Sequence, residues 1–179
     1  MATANPEGVR QLKESIRDVP DFPKPGIVFK DITPVLKDPK LFHICIDEMI
    51  KAFEGTKIDH VVGIESRGFI FGAAMAYKLG AGLVIVRKPK KLPFKTTQIE
   101  YSLEYGKDTL EMHTDALDPG DRVLIVDDIL ATGGTAAATA QLVEKMGAKL
   151  EGLVFMSELA ALNGKEKLGN YNVHSVLSL

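Results

Sequence analysis

Runs of nearly unbroken apolar residues alternate with segments of helical period, and this alternation limits the possible folds more than any other feature. IDHVVGI (58–64), AGLVIVRK (81–88), RVLIVDD (122–128) and LEGLVFMSEL (150–159) each read as a buried strand. GFIFGAAMAYKLG (68–80) and a stretch from about Gly134 to Met146 read as the helices between them. NVHSVLSL (172–179) adds a last short strand. Strands without polar alternation are buried on both faces, the pattern of a mainly parallel α/β sheet flanked by helices. In such sheets ligands collect beyond the carboxyl ends of the strands.

Upstream, Asn5-Pro6 reads as cap and first turn of a helix that places Val9, Leu12 and Ile16 on one face. PDFPKPGIVFKDITP (20–34), with three prolines around Phe22, cannot form a regular helix. It is either an extended lead into the domain or part of a site. Asp38-Pro39 opens a second helix carrying Leu41, Phe42, Cys45, Ile46 and Met49 at helical spacing. In the middle of the chain, IEYSLEYG and DTLEMHT, with a Tyr-Gly turn between them, predict an antiparallel hairpin. There is no internal repeat and no dividing linker, so 179 residues imply a single domain over 1–179.

Composition narrows the class. No apolar run approaches the ~20 residues of a membrane span, and MATANPEGVR has no signal-peptide core. The single cysteine, Cys45, excludes an internal disulfide and suits a reducing compartment, so a cytoplasmic location is expected. A formal net charge of -2 gives little support to nucleic-acid binding. Cys45, His43, His60, His113 and His174 lack metal-ligand spacing. Met49, Met75, Met112 and Met146 fall on predicted apolar faces and read as core.

The chemistry concentrates in VLIVDDILATGGT (123–135). A Gly-Gly turn between strand and helix brings backbone amides close to a ligand, and Thr132 and Thr135 add hydroxyls, making a cradle suited to a phosphate. The lysine and glycine spacing of a P-loop are missing, as is the dinucleotide fingerprint. Asp127 and Asp128 would repel a phosphate at close range. They suit sugar hydroxyls or a metal carried by a diphosphate, so the geometry asks for a sugar phosphate. The alternative is a buried strand with a polar end and a tight turn.

That string resembles the phosphoribosyl-diphosphate (PRPP) binding signature of type I phosphoribosyltransferases. FPKPGIVFKDITPVLKDP (22–39), GIESRGFIFG (63–72), RKPKKLP (87–93), YSLEYGKDTLE (101–111) and ELAALNGKEKL (158–168) resemble members that take adenine as acceptor. The likeness runs over nearly the whole chain. It departs from the family at Lys30, where many relatives carry arginine, and at Glu65, where aspartate is common. The resemblance implies the type I phosphoribosyltransferase fold with a small flexible hood, drawn from segment 20–36 and hairpin 95–113. It implies transfer of 5-phosphoribosyl from PRPP to adenine, giving AMP and diphosphate, by a homodimer. Magnesium is the implied cofactor, carried mainly by PRPP and with no direct protein ligand assigned.

Residue roles follow from the same resemblance. Ala131, Thr132, Gly133, Gly134 and Thr135 hold the 5'-phosphate, and Asp127 and Asp128 meet the ribose hydroxyls. Glu65, Ser66 and Arg67 form a diphosphate loop, which by residue type alone could be a plain connection; a non-proline cis peptide is implied at Glu65–Ser66. Arg87, Lys88 and Lys91 also meet diphosphate, some of them across the subunit interface. Read by itself, their run could be a solvated basic face or, less well for want of stacking aromatics, an RNA patch. Val28, Phe29, Lys30 and Ala131 take the adenine, although Phe29 alone would read as core. Glu104 is implied to handle the N9 proton and Tyr105 to close the hood, at what would otherwise be an exposed turn. Arg67 and Glu104 are the expected catalytic residues. Two alternatives are a PRPP-binding regulator of purine metabolism and a transferase for another purine base. Regulators usually add a DNA-binding domain, for which this chain has no spare segment.

Overall fold

The computed structural model describes residues 5–102 and 106–179. They fall into two compact units, one ending at Glu54 and the other spanning Gly55–Leu179.

In the first unit, helix α1 (Pro6–Ser15) begins as its sequence dictates, with the Asn5 side chain accepting from the Gly8 amide at 2.9 Å. It stops one residue before the expected apolar face is complete. Ile16 is already extended, which lets β1 (Arg17–Pro20) pair antiparallel with β2 (Val28–Asp31). The proline-rich segment is therefore the turn of a hairpin. Its bend contains a cis Phe22–Pro23 bond, and the Asp21 carboxylate accepts from the Gly26 amide at 2.7 Å. A short helix, α2 (Thr33–Lys37), tolerates Pro34 because a first-turn amide has no helical acceptor. α3 (Pro39–Lys51) is capped by Asp38, which accepts from the amides of Lys40 and Leu41 at 2.8 and 3.1 Å. Leu12, Ile32, Val35, Cys45, Ile46, Met49 and Phe53 form its core. Burial pushes the Cys45 thiol up to about 12, so it stays protonated and inert.

The second unit is built on β3 (His60–Ile64), β4 (Gly82–Val86), β7 (Arg122–Leu130), β8 (Lys149–Glu158) and β9 (Val173–Ser178). They form one wholly parallel sheet in the order β4-β3-β7-β8-β9. Helix α4 (Gly68–Leu79) follows β3 and α5 (Gly134–Lys145) follows β7. Val123, Leu124, Ile125 and Val126 are fully buried, which explains a strand with no polar alternation. β5 (Thr96–Ser102) and β6 (Lys107–His113) form the expected antiparallel hairpin. Paired amide and carbonyl bonds between Arg87 and Glu111, at 2.9 and 2.7 Å, tie it to the residue that follows β4. β7 was read short, since it continues two residues past Asp128, and so was β5, which begins at Thr96, three residues before Ile99.

Candidate active site

Strand order reverses between β3 and β7: the chain leaves β3 toward β4 on one side and leaves β7 toward β8 on the other. Such a switch point opens a crevice at the carboxyl ends of the strands. The 65–67 loop after β3 and the 131–133 turn after β7 both lie at that end.

The turn is a cradle made of main chain. Gly133 has φ +79, a left-handed conformation that favours glycine, and α5 starts after it without a side-chain cap. The first-turn amides of α5 thus lack an intrahelical acceptor, an arrangement that suits an anion. Asp127, Ala131, Thr132, Gly133, Gly134 and Thr135 are among the residues around a concavity of about 90 Å³ there. The turn is pressed from behind by Gly164. A Cβ at Gly164 would lie 2.1 Å from the Ala131 carbonyl oxygen, and one at Gly133 would lie 2.3 Å from the Gly164 carbonyl oxygen.

The two acids differ in environment. Asp128 is 3% exposed and pairs with the Arg67 guanidinium. Asp127 accepts from the Asp128 amide at 2.9 Å. Burial, reinforced by the neighbouring Asp128 charge, pushes the Asp127 carboxyl well above the usual carboxylate range. Gly68 makes this packing possible, because a Cβ there would sit 2.8 Å from Asp127 Oδ1.

Glu65 organises the basic segment. The Glu65–Ser66 peptide is cis, as the resemblance implied. The Glu65 carboxylate pairs with Lys91, lies 3.3 Å from Arg87 Nε and accepts from the Lys88 amide at 2.8 Å. Burial alone would raise its pKa. The Lys91 and Lys88 bonds, with the Arg87 charge, outweigh burial and hold it below the usual range. Glu65 therefore faces the cations, and Arg67, Arg87, Lys88 and Lys91 remain the groups able to meet an anion. Arg87 also lies over the Phe69 ring, 5.9 Å from its centroid.

Residue-type reasoning did not single out Tyr101, Asp108, Gly68 or Gly164. Lys88 Nζ lies 3.0 Å from Asp108 Oδ2, and the Tyr101 hydroxyl lies 3.2 Å from Thr135 Oγ1. An Asn-Gly pair at 163–164 signals a turn, but nothing local says what packs against it. In the first unit, Val28 is exposed, Phe29 meets Phe22 edge-on at 5.3 Å, and the Lys30 ammonium bonds Asp18 at 2.7 Å. The Lys30 ammonium is thus engaged within the first unit. Glu104 and Tyr105 lie outside the described residues. Among the described residues no three His, Cys, Asp or Glu side chains are grouped to hold a metal, and no helix is long and apolar enough to cross a membrane.

Comparison with known proteins agrees with this geometry. A family model described as a phosphoribosyl transferase domain matches residues 32–169. The chain is 59% identical over 167 residues to the adenine phosphoribosyltransferase of Anaeromyxobacter dehalogenans (strain 2CP-1 / ATCC BAA-258), covering 93% of this chain and 97% of that protein. The crystal structure of adenine phosphoribosyltransferase from Rhodothermus marinus DSM 4252 matches at a TM-score of 0.95 and 53% identity, covering 98% of this chain and 100% of that one. The Saccharomyces cerevisiae enzyme, crystallised with D-2,5-dideoxy-2,5-imino-altritol 1,6-bisphosphate and adenine, matches at 0.90 and 43%, covering 96% and 99%.

Proposed function

We propose, from the premise that this chain belongs to the phosphoribosyl transferase family, that it transfers 5-phosphoribosyl from PRPP to adenine, forming AMP and diphosphate in purine salvage. The observation that carries this reading is near-full-length identity to adenine phosphoribosyltransferases, held around a switch-point crevice that joins an anion cradle, an acid pair and four cations.

The reaction breaks the bond between ribose C1 and diphosphate and forms one from C1 to adenine N9, through an oxocarbenium-like ribose. Residues 131–135 hold the 5'-phosphate on main-chain amides and threonine hydroxyls. Asp127 and Asp128 accept from the ribose hydroxyls, and Arg67 leaves its pairing with Asp128 to meet diphosphate. Arg87, Lys88 and Lys91 stabilise the charge that grows on the leaving group. Val28, Phe29 and Lys30 take the base, and Ala131 adds to that role. Glu104 accepts the N9 proton and Tyr105 closes the hood against water.

Magnesium takes oxygen donors and commonly binds through one or two carboxylates plus substrate phosphates. The adjacent carboxylates of Asp127 and Asp128 suit that habit and would meet a cation brought on PRPP. When bound, it would neutralise part of the diphosphate charge. Residues 1–179 act as one catalytic domain, as a homodimer in the cytoplasm. A lone, buried cysteine is in keeping with a reducing compartment.

A base panel tests the reading: PRPP and magnesium with adenine, hypoxanthine, guanine or xanthine, following nucleotide and diphosphate. Adenine should be strongly preferred. Comparable turnover of hypoxanthine or guanine would overturn the base assignment, and PRPP binding without turnover of any base would point to a regulator.

A further inference from the structure

Asp108 has no role in the reaction as set out above, yet it holds one of the cations assigned to diphosphate. It stands opposite Tyr101 in the β5–β6 register. Lys88 Nζ lies 3.0 Å from Asp108 Oδ2, and the Tyr101 hydroxyl donates to the same oxygen over 3.4 Å. That hydroxyl is also 3.2 Å from Thr135 Oγ1, in the first turn of α5. A continuous polar string, Lys88–Asp108–Tyr101–Thr135, therefore runs from the basic segment to the phosphate cradle.

The three acids that hold these cations are not equivalent. Asp128 belongs to the acid pair, and Glu65 also binds the main chain of the basic segment at the Lys88 amide. Among the described residues Asp108 bonds only the following amide, Thr109, besides Lys88 and Tyr101. Its carboxylate can be neutralised without cutting a main-chain bond of the basic segment or altering the strand end. Each partner favours the charged form of the other. The Asp108 hydrogen bond holds the Lys88 ammonium above its usual range. Burial alone would raise the Asp108 carboxyl, but the Lys88 hydrogen bond, the Thr109 amide, the Lys88 charge and the Tyr101 hydroxyl together outweigh it and lower the carboxyl.

We infer that Asp108 is a positioning residue that competes with diphosphate for Lys88, keeping the ammonium beside the crevice before PRPP arrives and reclaiming it as diphosphate departs. This rests on the proposed function. An anion at the crevice must draw Lys88 away from Asp108, so the carboxylate weakens the grip on diphosphate and hastens its release. Tyr101 orients the Asp108 oxygen and passes the same hydrogen-bonded string to Thr135.

The test is calorimetric titration of magnesium diphosphate into the full-length protein, its Asp108→Asn and Lys88→Ala variants and the double variant. Asparagine keeps an acceptor for Tyr101 and removes the competing charge. Because partly exposed ion pairs are weak, Asp108→Asn should tighten diphosphate binding by about two- to fivefold. In the Lys88→Ala background the same change should have no effect. Slower diphosphate release after a single turnover should accompany the tightening, with adenine affinity unchanged and the melting temperature lowered by no more than about 4 °C, the worth of the lost pair. Equal affinity of parent and Asp108→Asn would overturn the inference. So would weaker binding, or the same tightening without Lys88, which would reduce the effect to general loss of negative charge. A parent protein that fails to bind magnesium diphosphate at all would overturn the proposed function, and this inference with it.

Discussion

Asp127 carries a cost that its proposed role explains. Its carboxyl is raised above the unfolded value of about 3.9 by burial first and by the Asp128 charge second. A raised folded pKa means that the contribution to stability is complete below about pH 3.9 and is lost as pH rises through the folded value. Asp127→Asn removes that loss while keeping an oxygen for the Asp128 amide. The variant should melt above the parent at pH 7.5, by about 2–4 °C for each kcal/mol recovered in a domain of this size. The margin should shrink toward zero as pH falls to 4. PRPP binding should meanwhile weaken by roughly 10–100-fold, the worth of a hydrogen bond to a charged acceptor. Melting curves across pH beside PRPP titrations decide it. A margin independent of pH, or a more stable parent at pH 7.5, would remove burial of charge as the cause.

At the scale of elements, the 131–133 turn keeps its shape because the backbone at Gly164 presses against it. Alanine at Gly164 would place a Cβ 2.1 Å from the Ala131 carbonyl oxygen, so one segment must move. Overpacking of this kind costs about 1–3 kcal/mol. Gly164→Ala should lower the melting temperature and raise the KM for PRPP, with adenine affinity preserved, since the amides proposed to hold the phosphate are what shift. Unchanged PRPP kinetics would mean that the 160s region yields instead of the turn. This support was beyond residue-type reading, because Gly133 and Gly164 meet only through the fold. The five strands and both flanking helices of the sheet were legible, because burial on both faces leaves an unbroken apolar signature. The β1–β2 pairing was not, because none of its residues is buried and prolines mask the pattern. Tyr101 and Asp108 escaped for a third reason: cross-strand register brings them together, and their residue types carry no motif. The strand end with its two acids and the glycine turn into α5 were legible because they lie in contiguous residues.

On the scale of the whole molecule, the exposed apolar surface of the second unit bears on the proposed homodimer. Tyr77 is 92% exposed and Ile70, about two turns earlier on α4, is 43% exposed. Leu83 on the edge strand β4 is also 43% exposed, and its Cδ1 would lie 3.4 Å from a Cβ at Gly72, so it belongs to the same helix–strand surface. Single exposed apolar residues need no explanation, but a connected group of them on a helix and the adjoining sheet edge marks an interaction surface. α4 follows directly from the loop that carries Arg67, and β4 leads directly into Arg87. A partner seated on this surface would therefore steady both cationic segments. Tyr77→Asp places a charge where the partner would bury a ring, at a position whose side chain contributes little to the fold of its own chain. The variant should remain folded and sediment as a monomer at micromolar concentrations at which the parent is a dimer. Its kcat should fall if residues such as Arg87 act across the interface, and activity should recover as protein concentration rises. A Tyr77→Asp dimer would place the interface elsewhere, whereas a fully active monomer would leave each subunit with a complete site of its own.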